Sequence, residues 1–283
     1  MGKPDIPAFL YHYTTVDSLA LILKNKNIQF RPLTMMDDLQ EEKIDDEYKL
    51  ARFVFVSSWT EEEKESIPMW KMYSDWENGV RIKLPTYPFQ EYELTKEVFE
   101  EITGHTSSDF GNKALHFIRP FSEIYHGEYR LRSEKLDQLL YKVKYTKNDR
   151  ELFPKIRNTE HVDESAEDVY LKFSVIGQYK HEAWEFQKEW RYKFTCLPTN
   201  FQNDLENTLR ENNELLENKI FNNKYHLPIN QFFLSICDKA FSQMEITCSP
   251  KLTESNRLFI DLLKEKYNPT LTVRESALKD SIR

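Results

Sequence analysis

Three stretches hold polar and aromatic side chains of types that do chemistry. They are Tyr11-His12-Tyr13-Thr14, then Ser57-Ser58-Trp59-Thr60 with Met69-Trp70-Lys71-Met72-Tyr73, and then Lys180, Trp184 and Gln187-Lys188-Glu189-Trp190-Arg191. An aromatic ring can stack on a flat ligand, an imidazole can hold a hydroxyl, and a carboxylate can stabilise positive charge growing at a reacting carbon. Arg191 lies two residues beyond Glu189 on an alternating segment, so their side chains share a strand face. It can therefore fix that carboxylate or bind a phosphate. Lys180 and Arg283 are further phosphate-binding candidates. Each residue also has a structural reading: His12, Tyr73 and Trp70 as core side chains, and Glu189 as an exposed cross-strand partner. In that exposed role Glu189 is expected to contribute no more than about 1 kcal/mol to stability.

Other chemistries lack their signatures. There is no HExxH, GxSxG, GxxxxGK[ST] or GxGxxG in the chain. His181 and Glu185 are four apart and can share a helix face, but two ligands without a third are a weak metal signal. No metal is expected. The acidic run from Glu41 to Glu47 reads as a solvated helix face. Cys196, Cys237 and Cys248 are odd in number and have no CxxC spacing, which argues against a disulfide framework and points to a reducing, cytoplasmic compartment.

These residues need elements to hold them. Phe9–Tyr13 reads as a strand, followed by a helix from Val16 to about Lys24 capped by Thr14 or Thr15. Ile28–Phe30 is a second strand, and an acidic helix is expected from about Gln40 to Leu50. Arg52–Ser58 is the clearest strand, with an apolar run suited to burial on both faces. Pro68 marks a helix start. Val80–Leu84, Leu139–Tyr145 and Glu189–Phe194 alternate, as half-exposed strands do. A long helix is expected from Ser165 to Phe186. The C-terminal part reads as strands Phe232–Ile236 and Gln243–Cys248, a helix Glu254–Lys266 and a strand Thr270–Val273. With no repeat and no Gly/Ser-rich linker, the expectation is one α+β domain over 1–283 with helical insertions near 95–138 and 200–223.

The 283 residues carry 39 Lys+Arg against 47 Asp+Glu, a net charge of −8, so a protein that coats nucleic acid is disfavoured. Six glycines leave little room for Gly-rich phosphate loops. No signal segment or membrane helix is expected.

The chain resembles a widespread bacterial family of unknown function, number 2971. The resemblance rests on Leu10-Tyr11-His12-Tyr13-Thr14, Ile28-Gln29-Phe30, Ser57-Ser58-Trp59-Thr60, Met69–Tyr73 with Gly79-Val80, and Glu189-Trp190-Arg191. It extends to Ile246-Thr247-Cys248-Ser249-Pro250, Val273-Arg274-Glu275-Ser276 and Arg283. It departs where the family's usual Asn-Asp-Pro stands as Met36-Asp37-Asp38. The motif order is in turn similar to the ADP-ribosyltransferase superfamily. That resemblance implies an α+β fold with a split, mixed β-sheet core of ADP-ribosyltransferase-like type and NAD as substrate, with Glu189 as catalytic acid and Gln187 two residues before it. It implies His12 on the first strand, Ser57 or Ser58 as the second-strand hydroxyl, and Tyr73 or Trp70 stacking on nicotinamide. Tyr11, Tyr13, Thr14, Ser58, Trp70, Gln187 and Arg191 would line the NAD site.

The leading expectation is an NAD-dependent ADP-ribosyltransferase-like enzyme of toxin or phage-defence type, acting on an unidentified protein or nucleic-acid acceptor. The alternatives are a non-catalytic nucleotide-sensing or partner-binding domain on the same fold, and a metal-dependent nuclease using Glu189, His12 and scattered acids. A protein partner or a second copy of the chain would suit the charged stretch Asn200–Asn223.

Overall fold

The computed structural model describes residues 5–41, 43, 50–103, 115–124, 127–132, 138–163, 166–201 and 225–282. β1 (Phe9–Thr15) runs into α1 (Val16–Asn25), whose first turn is capped by Thr15 Oγ1 accepting from Ser18 N at 3.2 Å. Val16, Leu19 and Leu23 form its buried stripe, and Lys26 in the left-handed region ends it. β2 (Asn27–Pro32) follows, then a turn over Leu33–Met35, and after the acidic segment β3 (Val54–Thr60). α2 (Ile67–Tyr73) carries Pro68 in its first turn and is capped by Ser66. β4 is Gly79–Pro85.

The middle of the chain interleaves short strands with helices. β5 (Tyr92–Leu94), α3 (Lys96–Thr103), β6 (Leu115–Phe117), α4 (Phe121–Ile124) and β7 (Tyr129–Arg132) occupy the region expected to be helical. β8 (Leu140–Lys142) and β9 (Lys144–Thr146) divide the strand expected over Leu139–Tyr145, and α5 (Asp149–Leu152) follows. The long helix expected over Ser165–Phe186 is absent. β10 (Arg157–Asp163) and β11 (Ala166–Leu171) form a hairpin there, followed by β12 (Tyr179–His181) and a 3₁₀ turn over Glu182–Gln187. Gly177, at φ +69°, turns the chain between this hairpin and β12. A Cβ there would also lie 3.0 Å from Leu33 and 3.3 Å from Arg191 Nη1. The remaining elements are β13 (Glu189–Pro198), β14 (Phe232–Ser235), α6 (Asp238–Ser242), β15 (Glu245–Cys248), α7 (Glu254–Tyr267) and β16 (Thr272–Arg274). The insertion expected near 200–223 lies almost wholly outside the described residues, as does most of the acidic helix expected over Gln40–Leu50.

The sheet is mixed and largely antiparallel, so the fold is α+β. Its order among the described residues is β14-β2-β3-β1-β4-β15-β16, in which β15 and β16 pair in parallel. β13 pairs along one full edge of β3, from Glu189↔Thr60 to Thr195↔Val54, and carries β7 and β8 on its far side. The other edge of β3 is shared. β2 holds its start (Arg31↔Val56, Pro32↔Phe55) and β1 holds its end (Tyr11↔Thr60), so the two strands part around Ser57–Trp59. The main core on one face stacks Phe30, Phe55, Phe89, Tyr192, Phe194 and Phe232 under α1 and α7. Aromatic pairs such as Phe55–Phe194, stacked at 5.8 Å, add to the burial of each ring, about 1.5–3 kcal/mol apiece. A second cluster around Phe53, Val54, Val56, Phe173 and Phe201 covers the opposite face. β13 is consequently buried along its whole length, where a half-exposed strand was expected.

Candidate functional site

A cleft of about 640 Å³ opens where β1 and β2 part on the edge of β3. Register fixes the faces. Tyr11, Thr60 and Glu189 stand in one row, as do Ser58 and Arg191, so these side chains share a sheet face. His12 points to the other face, where its ring lies 5.0 Å from Trp59. Both sets nevertheless line the cleft, because it passes through the gap between the strands. His12 bridges that gap, donating from Nδ1 to the Ser58 carbonyl at 2.9 Å. A carbonyl only accepts, so Nδ1 carries the proton and Nε2 keeps its lone pair. Burial pushes the imidazole below its ordinary pKa, which favours this neutral form.

Glu189 is held from every side. Its N–H donates to Tyr145 Oη at 2.8 Å, and its carbonyl accepts from Val143 N at 3.0 Å, at the break between β8 and β9. Its carboxylate accepts three bonds: Arg191 Nε on Oε1 at 2.6 Å, and Lys180 Nζ at 2.8 Å and Arg191 Nη2 at 3.2 Å on Oε2. A carboxylate offers about four lone-pair sites, so Oε1 can take one more donor. Burial alone would raise its pKa, but Arg191 and Lys180 outweigh it and hold the group at about 2. Glu189 is 3% exposed, so the reading of an exposed, thermodynamically minor strand carboxylate is corrected. β13 is covered on this face, and the charge is buried with its partners.

Glu41 completes the cluster. Both its oxygens engage Arg191, Oε1 through Nη1 and Oε2 through Nη2 at 2.9 Å, and Lys180 Nζ lies 3.8 Å away. Glu41 is buried, not on a solvated helix face as expected. Burial raises its carboxyl pKa, against the pull of Arg191 and Lys180. Arg191 Nη1 also donates to Gly177 O at 3.1 Å, so all five guanidinium donors are used. Of its two expected roles, Arg191 therefore has the first, fixing the carboxylate; no donor is left for a phosphate.

Tyr73 stands beside this floor on α2. Its hydroxyl accepts from Gln187 Nε2, and Gln187 Oε1 accepts from Lys180 Nζ at 2.9 Å. Burial, with Asp37 and Glu189 near it, raises the phenol's pKa and keeps it neutral. Tyr13 anchors α2: its hydroxyl accepts from Ser66 N at 3.0 Å, and its ring meets Trp70 edge-on at 4.8 Å. Trp70 is fully buried and does not line the cleft, so its expected stacking role is corrected. Its Nε1 donates to Glu65 Oε2, and the ring fills the space between α2 and β1. Ser57 lines the cleft beside Ser58, and its hydroxyl accepts from Trp59 Nε1 at 3.0 Å. Tyr11 and Thr14 reach the cleft although both are largely buried, Tyr11 under the Arg81 guanidinium. Arg283 lies outside the described residues.

The structure thus brings Tyr11, His12, Tyr13, Thr14, Ser58, Tyr73, Gln187, Glu189 and Arg191 to one cleft. Sequence reasoning missed Glu41, Asp37 and Arg31. The pointer to the first two was the departure at Met36-Asp37-Asp38, which flagged the loop without saying which acid turns inward. Among the described residues no group of three or more His, Cys, Asp or Glu side chains is disposed to hold a metal ion. No helix among them is long and apolar enough to cross a membrane.

Fold and cleft together define an α+β protein with a charged, buried floor beneath a parted sheet edge. The sequence model of a family described as a protein of unknown function (DUF2971) matches residues 69–192, from the middle of α2 into β13. The match includes Tyr73, Glu189 and Arg191 and leaves out the His12 segment and the C-terminal stretches of the resemblance. No curated protein and no solved structure matches the chain.

Proposed function

We propose that the cleft binds NAD and that the protein transfers its ADP-ribose moiety to an acceptor. The observation that carries this reading is the convergence of His12, Tyr73 and Glu189 on one cleft from three distant stretches of chain. The Tyr73 ring offers a stacking surface for nicotinamide. His12 Nε2 can accept from one ribose hydroxyl, and Glu189 Oε1 from another. The bond between the nicotinamide ring nitrogen and ribose C1′ breaks, its electron pair leaving with nicotinamide. The oxocarbenium-like centre is stabilised by the ionised Glu189. The acceptor's nucleophile then bonds to C1′ and loses its proton to solvent.

A second reading, nucleotide binding without turnover, is favoured by one observation: Glu189 already pairs with two cations. Calorimetric titration with NAD, together with chromatographic detection of nicotinamide, tests both. Binding with release is the expected result. Binding without release selects the second reading, and absence of binding removes both.

A further inference from the structure

We infer that Glu41 is a positioning residue for this reaction: by neutralising Arg191 it keeps the cleft floor uncharged overall, so that no excess of positive charge opposes the stabilisation that Glu189 gives the ribose. The inference rests on the reading above and concerns how that site is tuned. Arg191 and Lys180 both touch Glu189. Alone, those two cations against one carboxylate would leave a buried excess of positive charge next to a carbon that itself becomes positive. At short range in a poorly solvated site such an excess is weakly screened. Glu41 brings the count to two acids and two bases, all nearly inaccessible to solvent. Its fork on Arg191 also restrains the guanidinium, whose Nε and Nη2 hold the Glu189 oxygens. The chain builds this by a tight turn: Glu41 N donates to Asp38 O at 3.0 Å and Gln40 N to Asp38 Oδ1 at 3.0 Å. The turn aims Glu41 across to β13, 150 residues away in sequence.

The test compares Glu41→Gln with the double variant Glu41→Gln/Lys180→Met, which restores balance by removing one cation. Nicotinamide release and the affinity for ADP-ribose are measured separately. Glu41→Gln is expected to bind the anionic ADP-ribose at least as tightly as the unaltered protein while kcat falls roughly tenfold or more. The double variant is expected to recover much of that loss. A clamp that only held the fold would weaken binding and rate together, and the double variant would be worse than the single one. Either that pattern, or an unchanged kcat in Glu41→Gln, overturns the inference. If Glu41→Gln does not fold but the double variant does, charge balance is supported; collapse of both overturns it. If the unaltered protein binds ADP-ribose but releases no nicotinamide, the transferase reading fails and the inference falls with it. Release by the unaltered protein at a rate that Glu41→Gln matches overturns the inference alone.

Discussion

β4 and β13 alternate in the same way, Val80-Arg81-Ile82-Lys83-Leu84 in one and Glu189-Trp190-Arg191-Tyr192-Lys193-Phe194 in the other. In both, the apolar set enters the main core. The charged sets differ. On β4, Lys83 pairs with Glu245 of the neighbouring β15 and both stay partly exposed, while Arg81 stacks on Tyr11 at 4.7 Å. On β13 the charged face is covered by the turn after β2 and by the segment from Phe173 to Gln187; Glu189 and Arg191 bond to each other and to Lys180 and Glu41, and Lys193 donates to the carbonyls of Ser174 and Ile176. A sealed charge cluster is a poor source of stability compared with apolar packing. Its position beside a cleft gives the burial a use: charges fixed in a dry site act strongly on a reacting group.

The largest difference between the two strands is expected in stability. Arg191→Met strands two buried carboxylates and should cost about 3–5 kcal/mol in urea denaturation. Arg81→Met loses one hydrogen bond to Glu63 O and its aromatic stacking, and should cost about 1–2 kcal/mol. Equal losses would erase the distinction between the two faces.

The carboxylates should diverge next, and with pH. Glu189→Gln is expected to cost about 3 kcal/mol near neutrality. Glu245→Gln, on a partly exposed pair, should cost less than about 1 kcal/mol. The Glu189 carboxyl is depressed to about 2. Its stabilisation is therefore present above the ordinary carboxylate pKa and is lost as pH falls from about 4.5 toward 2. Denaturation curves of the unaltered protein and Glu189→Gln should accordingly converge over that interval. A gap that stays constant with pH would mean that Glu189 is not held ionised.

The smallest effect concerns Arg31, exposed where β2 borders the cleft, with Nε on Gln29 Oε1 at 3.2 Å. Since Arg191 and Lys180 are occupied by carboxylates, phosphates of a dinucleotide should fall to Arg31. Arg31→Ala should weaken ADP-ribose binding about fivefold and change stability by no more than about 0.5 kcal/mol. An unaltered affinity would remove Arg31 from the site.

Much of this was legible in the sequence where a local rule applies. Thr15, one of the two threonines expected to cap α1, does so, Pro68 stands in the first turn of α2, and Phe9–Tyr13 and Ile28–Phe30 lie within the strands expected for them. Strand period alone put Arg191 on the face of Glu189, with their pairing as one of two expected roles. Failures came where tertiary context decides. Nothing local separates β4 from β13, since period two reports alternation and not what covers the polar side. The segment from Ser165 to Phe186 has helical composition, yet Gly177 turns it, bringing Gly177 O and Lys180 onto β13. Glu41 sits in an acidic run in which no residue type distinguishes the one acid that turns inward. Trp70 was legible as a helix aromatic, but a three-residue step from Trp70 to Tyr73 does not say which ring meets the cleft and which the core.

The central claim is that the sealed face of β13 serves chemistry through Glu189. Its most direct test is nicotinamide release from NAD by the unaltered protein and by Glu189→Gln, at a temperature where both are folded and with NAD binding measured in parallel. The account predicts that the variant binds NAD within about threefold of the unaltered protein while release falls by about 10²–10³. Release at an unchanged rate from Glu189→Gln, or none from the unaltered protein with NAD bound, would contradict it.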